Sequence, residues 1–307
     1  MSNVKNLPAS VRQRLLNKAR ETRRPYNEIL HFYVIERFLY RISKSSYSDK
    51  FILKGALMFR AWGASSFRST RDIDFLGFGS NEIGVVVHGF KQICAQEVEP
   101  DGLVFDKQTV QGERIKEGED FAGVRIHLLV FLDKARIPLQ IDIGFADVIT
   151  PTSITLEYPT ILQMPSPHIQ GYPKETVVAE KFHALVFLGS INSRMKDFYD
   201  LWVLAVQFEF EGRKLQEAII NTFRQRNMSP PIETPVGLSN GFAVENQAQW
   251  QAFLKRTNIE AAPLSLMDVI QILNNFLLPP MQSSSGNHIF TSFWKPGGQW
   301  KDLLDEK

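Results

Sequence analysis

The sequence predicts an α+β protein, with a lobe built on a mixed β-sheet and flanking helices followed by a helical C-terminal lobe. Two helical patterns of apolar residues open the chain, and three Val-, Ile- and Phe-rich stretches follow between residues 103 and 148. Helical patterns return after a proline-rich stretch at residues 151–173. We therefore predict two domains, residues 1–165 and residues 166–307.

The individual elements follow from local signals. Ser10 is a candidate N-cap for the first helix, and Pro25 ends that helix. A second helix with a dense apolar stripe begins at Asn27. Other helices are predicted at residues 83–97, 174–191, 196–208, 213–226, 245–256 and 264–278, and strands at residues 103–115, 122–131, 137–148 and 159–163. The aromatic residues after Pro280 are expected to dock on the protein rather than stack on bases.

Composition limits the classes of function. The chain has 307 residues, of which 44% are hydrophobic and 22% charged, with a formal net charge of +2. Any contact with nucleic acid must therefore come from local basic patches. The single cysteine, Cys94, excludes an internal disulfide framework and a cysteine-based zinc site, and we expect it to be buried. With no apolar stretch of membrane-spanning length and no signal-peptide core, we expect a cytoplasmic protein without a membrane partner.

The most informative stretch runs from Phe51 to Leu76. Lys54 and Gly55 form a corner that opens a helical pattern, and a helix N-terminus with a glycine favours the approach of a phosphate. Asp72 and Asp74 follow on a predicted strand, whose period of two sends both carboxylates to one face. Two such carboxylates suit Mg²⁺ bound together with the phosphates of a nucleotide.

This order of a glycine corner, a helix and a strand with Asp-x-Asp is the layout of a nucleotidyltransferase active site. A buried helix followed by a solvated acidic strand end is the alternative. Asp142 lies among apolar residues of another predicted strand, where a charge is costly unless it is paired or binds a metal. It is either a third metal carboxylate or a strand-end Asp that holds an arginine or a turn.

Charged residues in the predicted helical lobe add two further candidates. Lys181 interrupts an apolar helix, where it either extends to solvent along the apolar surface or meets a phosphate. Lys196 and Asp200 are four residues apart on one helix face, which is also the spacing of an ordinary surface ion pair. We expect His183 to be a hydrogen-bonded structural histidine. The basic residues between Arg12 and Arg24 are either a solvated helix face or an RNA contact.

Five blocks of the sequence together resemble a known family. The blocks are Leu53-Lys-Gly-Ala-Leu, Arg68-Ser-Thr-Arg-Asp-Ile-Asp-Phe, Ile141-Asp-Ile-Gly-Phe, Glu175-Thr-Val-Val-Ala-Glu-Lys-Phe-His-Ala-Leu and Lys196-Asp-Phe-Tyr-Asp-Leu. In this order they resemble the AbiEii/AbiGii toxin family of nucleotidyltransferases, which includes the MenT toxins. The family often has a second glycine where this chain has Ala56.

The resemblance implies a toxin of a type IV toxin–antitoxin or abortive infection system. It would transfer nucleotides from an NTP to an RNA acceptor, the tRNA 3′ end in some members, and so block translation, with a cognate antitoxin encoded nearby. The implied site has Asp72, Asp74, Asp142, Lys181, Asp197 and Asp200 as catalytic residues, Lys54, Gly55, Thr70 and Lys181 around the nucleotide, and Asp72, Asp74 and Asp142 on Mg²⁺ or Mn²⁺.

The implied residues come from both predicted lobes, so we expect the cleft between the lobes to be the active site. Two other functions stay open. One is a catalytically silent nucleotidyltransferase fold that binds RNA or a partner protein. The other is a glycosyltransferase that uses Asp-x-Asp for a nucleotide sugar, which the glycine corner before the Asp pair disfavours.

Overall fold

A computed structural model describes residues 6–117, 121–285 and 288–302, and these residues form two compact units. The second unit contains residues 63–68, residues 147–153 and the chain from residue 172 onward, and the first unit contains the rest. The first unit has a mixed sheet with flanking helices, and the second is mainly helical. The predicted α+β class is therefore confirmed.

The helices of the first unit are α1 (Leu7–Thr22), α2 (Tyr26–Lys44), α3 (Leu57–Ala61) and α4 (Ile83–Cys94). Its strands are β1 (Phe51–Lys54), β2 (Asp72–Gly77), β3 (Leu103–Glu117), β4 (Phe121–Leu132), β5 (Ala135–Gly144), β6 (Ile154–Glu157) and β7 (His168–Gly171). They form a seven-stranded sheet in the order β3-β4-β5-β2-β1-β7-β6. The pairs β2–β5 and β1–β7 are parallel, and the other neighbours are antiparallel.

One face of this sheet is closed by α4. Ile73, Ile126 and Ile141 lie side by side on β2, β4 and β5 and are fully buried. Next in the same row is Gly112, where an added Cβ would lie 2.8 Å from Val87 of α4. Because side chains alternate along a strand, the row one residue further along must point to the opposite face. That row carries the candidate site.

The helix α2 brings an unusual number of charged groups into the core. Arg41 makes a two-point ion pair with Asp101, with N–O distances of 2.6 and 3.2 Å. Glu36 is fully buried, and its Oε2 accepts a hydrogen bond of 2.7 Å from the backbone N–H of Ile161. Burial raises the pKa of Glu36 to about 7, even though Arg37 lowers it. This carboxyl therefore binds a proton more tightly in the folded chain than in the unfolded chain.

The raised pKa of Glu36 predicts a pH-dependent stability. Below the ordinary pKa of a glutamate, the proton on Glu36 stabilises the folded state. This stabilisation is lost as the pH rises through about 7. We expect the free energy of unfolding of Glu36→Gln, relative to that of the native chain, to increase between pH 4.5 and 7.5, by on the order of 3 kcal/mol. Urea unfolding of both proteins across this range measures it. Burial lowers the pKa of His183 to about 4, so the titration of His183 changes stability in the opposite direction. Because both proteins contain His183, its contribution cancels when their free energies of unfolding are subtracted. Parallel pH profiles would contradict the account.

The second unit contains α5 (Lys174–Leu188), α6 (Met195–Gln207), α7 (Gly212–Gln225), α8 (Asn240–Thr257) and α9 (Leu266–Ser285), with strands β8 (Phe210–Glu211), β9 (Phe293–Trp294) and β10 (Trp300–Lys301). The three strands form a small antiparallel sheet. Trp294 is buried and donates a 2.7 Å hydrogen bond to the carbonyl of Ala205, and Trp300 stacks on Phe276. The prediction that the late aromatic residues dock on the protein is confirmed for these two.

Three local predictions are wrong. Asn6, not Ser10, caps α1, since its Oδ1 accepts from the N–H of Ala9 and Pro8 stands in the first turn. The strand predicted at residues 159–163 is absent, because the N–H of Ile161 bonds to Glu36 instead of to a strand, and β6 and β7 lie on either side. The helix predicted from residue 245 begins at Asn240, where the Ser239 hydroxyl caps it.

Two other expectations can be compared with the fold. Cys94 is buried at the end of α4, and burial raises the pKa of its thiol to about 12, which confirms it as an unreactive core residue. Of the helices that the structure describes, none is both long and apolar enough to cross a membrane.

Candidate active site

A row of charged side chains crosses five neighbouring strands of the first unit. Strand pairing aligns Glu113 with Arg125, Arg125 with Asp142, Asp142 with Asp74, and Asp74 with Lys54. Paired residues on adjacent strands point to the same face of a sheet. All five side chains therefore project from the face opposite α4. The sheet register thus brings Lys54, Asp74 and Asp142 to neighbouring positions on one face, and their roles in a nucleotide and metal site stay predictions.

Asp72 lies beside this row. It precedes Asp74 by two residues on β2, so the two carboxylates share a face, while Ile73 between them points into the core. Its partner on β5 is Gln140, whose amide nitrogen lies 3.4 Å from Asp142. Three carboxylates thus lie on adjacent positions of one half-exposed sheet face.

Asp142 is bound by an arginine. The guanidinium of Arg125 donates two hydrogen bonds of 2.8 Å to the two carboxylate oxygens of Asp142. The Arg125 side chain is 32% exposed and the Asp142 side chain is 22% exposed. Like charges on adjacent strands repel, so the arginine offsets the repulsion between Asp142 and Asp74. This is the ion pair that the alternative interpretation of Asp142 expected. A role of Asp142 as metal ligand stays a prediction.

Gly55 makes room for a neighbouring side chain, and the predicted approach of a phosphate at this corner stays a prediction. The helix after it, α3, has only five residues, so the predicted helix N-terminus amounts to a single turn. Gly55 has a φ of +73°, and a Cβ there would overlap Asp74 Oδ2 and lie 2.9 Å from Asp74 Cγ. The absent side chain therefore makes the space in which the Asp74 carboxylate lies.

The segment before β2 is held by two side chains. His31 of α2 lies with its Nε2 2.6 Å from the carbonyl oxygen of Arg71, and Thr70 Oγ1 lies 3.4 Å from the carbonyl oxygen of Asp72. Thr70 therefore lies close to the backbone of Asp72, and its role in a metal site stays a prediction. The contact of His31 spans 40 residues of sequence and has no local sequence signal.

The donor set agrees with a small, hard divalent cation. Asp72 and Asp74 supply carboxylate oxygens on one face, and Mg²⁺ binds through one or two carboxylates together with water and phosphate oxygens. Over residues 6–117, 121–285 and 288–302, no cluster of three His, Cys, Asp or Glu side chains is placed to hold a metal. The arrangement fits Mg²⁺ or Mn²⁺ with Asp72 and Asp74 as protein ligands and substrate oxygens as the others.

The candidate residues of the second unit form a chain of alternating charges. Arg68 makes two hydrogen bonds to Asp200, at 3.0 and 3.1 Å. Lys181 Nζ lies 2.8 Å from both Asp200 and Asp197, and Asp197 lies 2.6 Å from Arg194. Lys181, Asp197 and Asp200 are therefore neighbours, and their catalytic roles stay predictions. Lys181 does not extend to solvent, since its ammonium lies between two buried carboxylates.

These charges stabilise one another. Burial by itself raises the pKa of Asp200, but Arg68 and Lys181 outweigh it and hold that pKa below its usual value. Burial likewise lowers the pKa of Lys181, and Asp197 and Asp200 more than reverse this, so the lysine remains charged. Asp200 is paired with Arg68 and Lys181 rather than with Lys196, so the surface-pair alternative for Lys196 and Asp200 is wrong.

Several of the remaining candidates have structural partners. His183 Nδ1 lies 3.2 Å from the Arg226 guanidinium, which confirms the hydrogen-bonded structural histidine. In the basic stretch between Arg12 and Arg24, Lys18 of α1 pairs with Glu21, and Arg24, beyond the end of α1, pairs with Glu28.

Comparison with known proteins places the chain in a family. Residues 37–272 match the family described as nucleotidyl transferase AbiEii toxin, type IV TA system. Two crystal structures from Helicobacter pylori are also similar. JHP933 has a TM-score of 0.46 and 14% identity over 85% of this chain and 96% of its own. A proposed nucleotidyltransferase has a TM-score of 0.45 and 13% identity over 84% and 96%.

No curated protein matches the chain. The family match covers more than half of the chain and includes all five blocks identified in the sequence. The chain therefore belongs to the AbiEii nucleotidyltransferase toxin family of type IV toxin–antitoxin systems.

Proposed function

We propose that this toxin transfers nucleotides from an NTP to an RNA acceptor, with Mg²⁺ or Mn²⁺ held by Asp72 and Asp74. The observation that carries the proposal is the placement of these two carboxylates on one half-exposed face of β2, with Gly55 making room for Asp74. Neither carboxylate packs in the core of the unit. A paired acidic face of this kind is expected to select a divalent cation together with a triphosphate.

The residues of the chain would act by binding and orientation. Asp72 and Asp74 would fix the cation, and Lys54 beside them would offset negative charge of the nucleotide. When bound, the metal would neutralise charge that develops on the phosphate and the leaving pyrophosphate. An RNA hydroxyl held in line with the α-phosphate would form the new P–O bond as the bond to pyrophosphate breaks, and the hydroxyl proton would pass to solvent.

We further propose the remaining roles that the resemblance implied. Lys181 contacts phosphate, Asp200 and Asp197 take part in the site, Thr70 adds a hydroxyl, and Asp142 is a third carboxylate. The acceptor is the tRNA 3′ end, so that the reaction blocks translation, and a cognate antitoxin encoded nearby neutralises the toxin. Family membership supports these roles.

The proposal is tested by substrate identification. The purified protein is incubated with Mg²⁺ and each of the four α-labelled NTPs, with purified tRNA, tRNA-depleted RNA or no RNA. We expect one NTP to label tRNA. Labelling of the depleted RNA alone would overturn the choice of acceptor, and no labelling in any mixture would favour the catalytically silent RNA- or partner-binding alternative.

The buried network makes a separate prediction about stability. Lys181→Met removes an ammonium from between Asp197 and Asp200, which are both nearly fully buried. Breaking a buried charge network by removing one partner costs about 3–5 kcal/mol. We expect urea unfolding to show a loss of this size. Lys214→Met, which removes an exposed lysine paired with Glu211, should change stability little. Equal effects of the two substitutions would contradict the assigned burial.

A further inference from the structure

Asp142 lies between an arginine and the carboxylates that we propose as metal ligands. Arg125 of β4 pairs with Asp142 of β5, and Asp142 pairs with Asp74 of β2 on its other side. Neighbouring strands of a sheet are about 5 Å apart. The Asp142 carboxylate can therefore turn toward Arg125 on one side or toward Asp74 on the other.

The structure shows Asp142 bound on the side of the arginine. Nε and Nη2 of Arg125 each donate a 2.8 Å hydrogen bond to a different oxygen of the carboxylate. The side-chain amide nitrogen of Gln140 lies 3.4 and 3.5 Å from the same two oxygens. Both oxygens thus face N–H donors, and the guanidinium beside them repels a second cation.

This ion pair keeps the acidic side chains of the face from converging. Asp72, Asp74 and Asp142 share the face, yet within residues 6–117, 121–285 and 288–302 no three His, Cys, Asp or Glu side chains are placed to hold a metal together. Two-point hydrogen bonding fixes the orientation of a carboxylate, so Arg125 gives a physical reason for this arrangement. Both partners are partly exposed, so the pair can open without disturbing the core.

We propose that Arg125 sets the metal affinity of this face by withholding Asp142. While the ion pair is closed, a divalent cation has only Asp72 and Asp74 as protein ligands. When the pair opens, Asp142 joins them as a third carboxylate, and affinity rises with the number of charged ligands.

This restraint rests on the proposed function, since it concerns the cation that Asp72 and Asp74 would hold. It also has a consequence for the order of binding. With two carboxylates from the protein, a small divalent cation takes its other ligands from water and phosphate oxygens. The restraint therefore keeps the affinity for the free cation low, so that the cation enters mainly together with the nucleotide.

The test measures Mn²⁺ binding in the absence of nucleotide and RNA. The electron paramagnetic resonance signal of free Mn²⁺ gives the Kd for the native protein and for Arg125→Gln, which removes the charge and the two-point hydrogen bonding. The control is Arg136→Gln, which removes an exposed arginine on the same face, near the opposite end of β5 from Asp142. Thermal unfolding checks that each variant is folded.

We expect Arg125→Gln to bind Mn²⁺ about ten- to a hundredfold more tightly than the native protein, and Arg136→Gln to bind it with native affinity. Made in the Asp142→Asn background, Arg125→Gln should give a gain of less than about threefold. The reason is that the charge of Arg125, two strands and so about 10 Å from Asp74, is largely screened at physiological salt. The gain thus requires the released carboxylate.

Four results would overturn the restraint. They are unchanged affinity of Arg125→Gln, no Mn²⁺ binding by Arg125→Gln, an equal gain in Arg136→Gln, and equal gains from Arg125→Gln in the native and Asp142→Asn backgrounds. The last result would mean that Arg125 acts by its charge alone.

Asp72→Asn, titrated in parallel, distinguishes failure of the restraint from failure of the metal site. If Asp72→Asn loses Mn²⁺ binding while Arg125→Gln equals the native protein, Asp72 remains a metal ligand and only the restraint is wrong. If Asp72→Asn binds Mn²⁺ as the native protein does, the proposed metal ligands and the restraint are both wrong.

Discussion

Asp72→Asn and Asp74→Asn should each reduce nucleotide incorporation by at least about a hundredfold, without loss of the fold. Asparagine keeps the shape of the side chain and removes the negative charge that a divalent cation requires. Both carboxylates are half-buried on a face that is not packed against α4, so the core beneath them is unaffected. Incorporation of label from NTP into RNA measures the loss.

Asp133→Asn is the matched control for this charge removal. Asp133 is exposed in the turn between β4 and β5 of the same unit, with a φ of +54° that asparagine also tolerates. It should leave incorporation unchanged. If either substitution on β2 kept the native rate, Asp72 and Asp74 would not be the metal ligands, and the proposed site would be wrong.

Gly55→Ala should have the second largest effect, since it displaces the Asp74 carboxylate. The new Cβ would overlap Oδ2 of Asp74, so this side chain must move away from its position on the sheet face. We expect more than about a tenfold loss of incorporation, comparable to removal of a residue that orients a metal ligand. The Kd for Mn²⁺, measured by titration, should rise with it.

Gly63→Ala is a control that distinguishes displacement of the Asp74 side chain from the backbone strain of an alanine at positive φ. Gly63 has a φ of +74°, nearly that of Gly55, but no atom lies within 4 Å of where its Cβ would be. Alanine costs about 1–2 kcal/mol at such a φ in either place. Gly63→Ala should therefore lose about this much stability in urea unfolding, Gly55→Ala at least as much because its Cβ also displaces Asp74, and only Gly55→Ala should lose activity. Equal activity losses would mean that strain, not the position of Asp74, is responsible.

The relative positions of site residues could be predicted from the sequence when these residues lie on the same strand. Period-two alternation placed Asp72 and Asp74 on one face, and the structure confirms this because Ile73 between them is fully buried. The use of Gly55 could not be predicted in the same way. Its neighbour Asp74 lies on another strand, and the close approach depends on the antiparallel pairing of β1 with β2.

The partners of the predicted charges were missed for a related reason. Arg125 binds Asp142 from a neighbouring strand, and Arg68 binds Asp200 across 132 residues of sequence. Neither arginine has a local pattern that distinguishes it from other surface arginines. Strand register and helix packing, which depend on the whole core, decide which cation meets which carboxylate.

Transfer of a nucleotidyl group from NTP to RNA is the reaction that we propose for this chain. The most direct test compares NTP labelled at the α-phosphate with NTP labelled at the γ-phosphate, each incubated with RNA, Mg²⁺ and the native protein. The account predicts that the α-label enters RNA, that the γ-label leaves as pyrophosphate, and that Asp72→Asn prevents both. Transfer of the γ-label to RNA, or incorporation of the α-label that persists in Asp72→Asn, would contradict it.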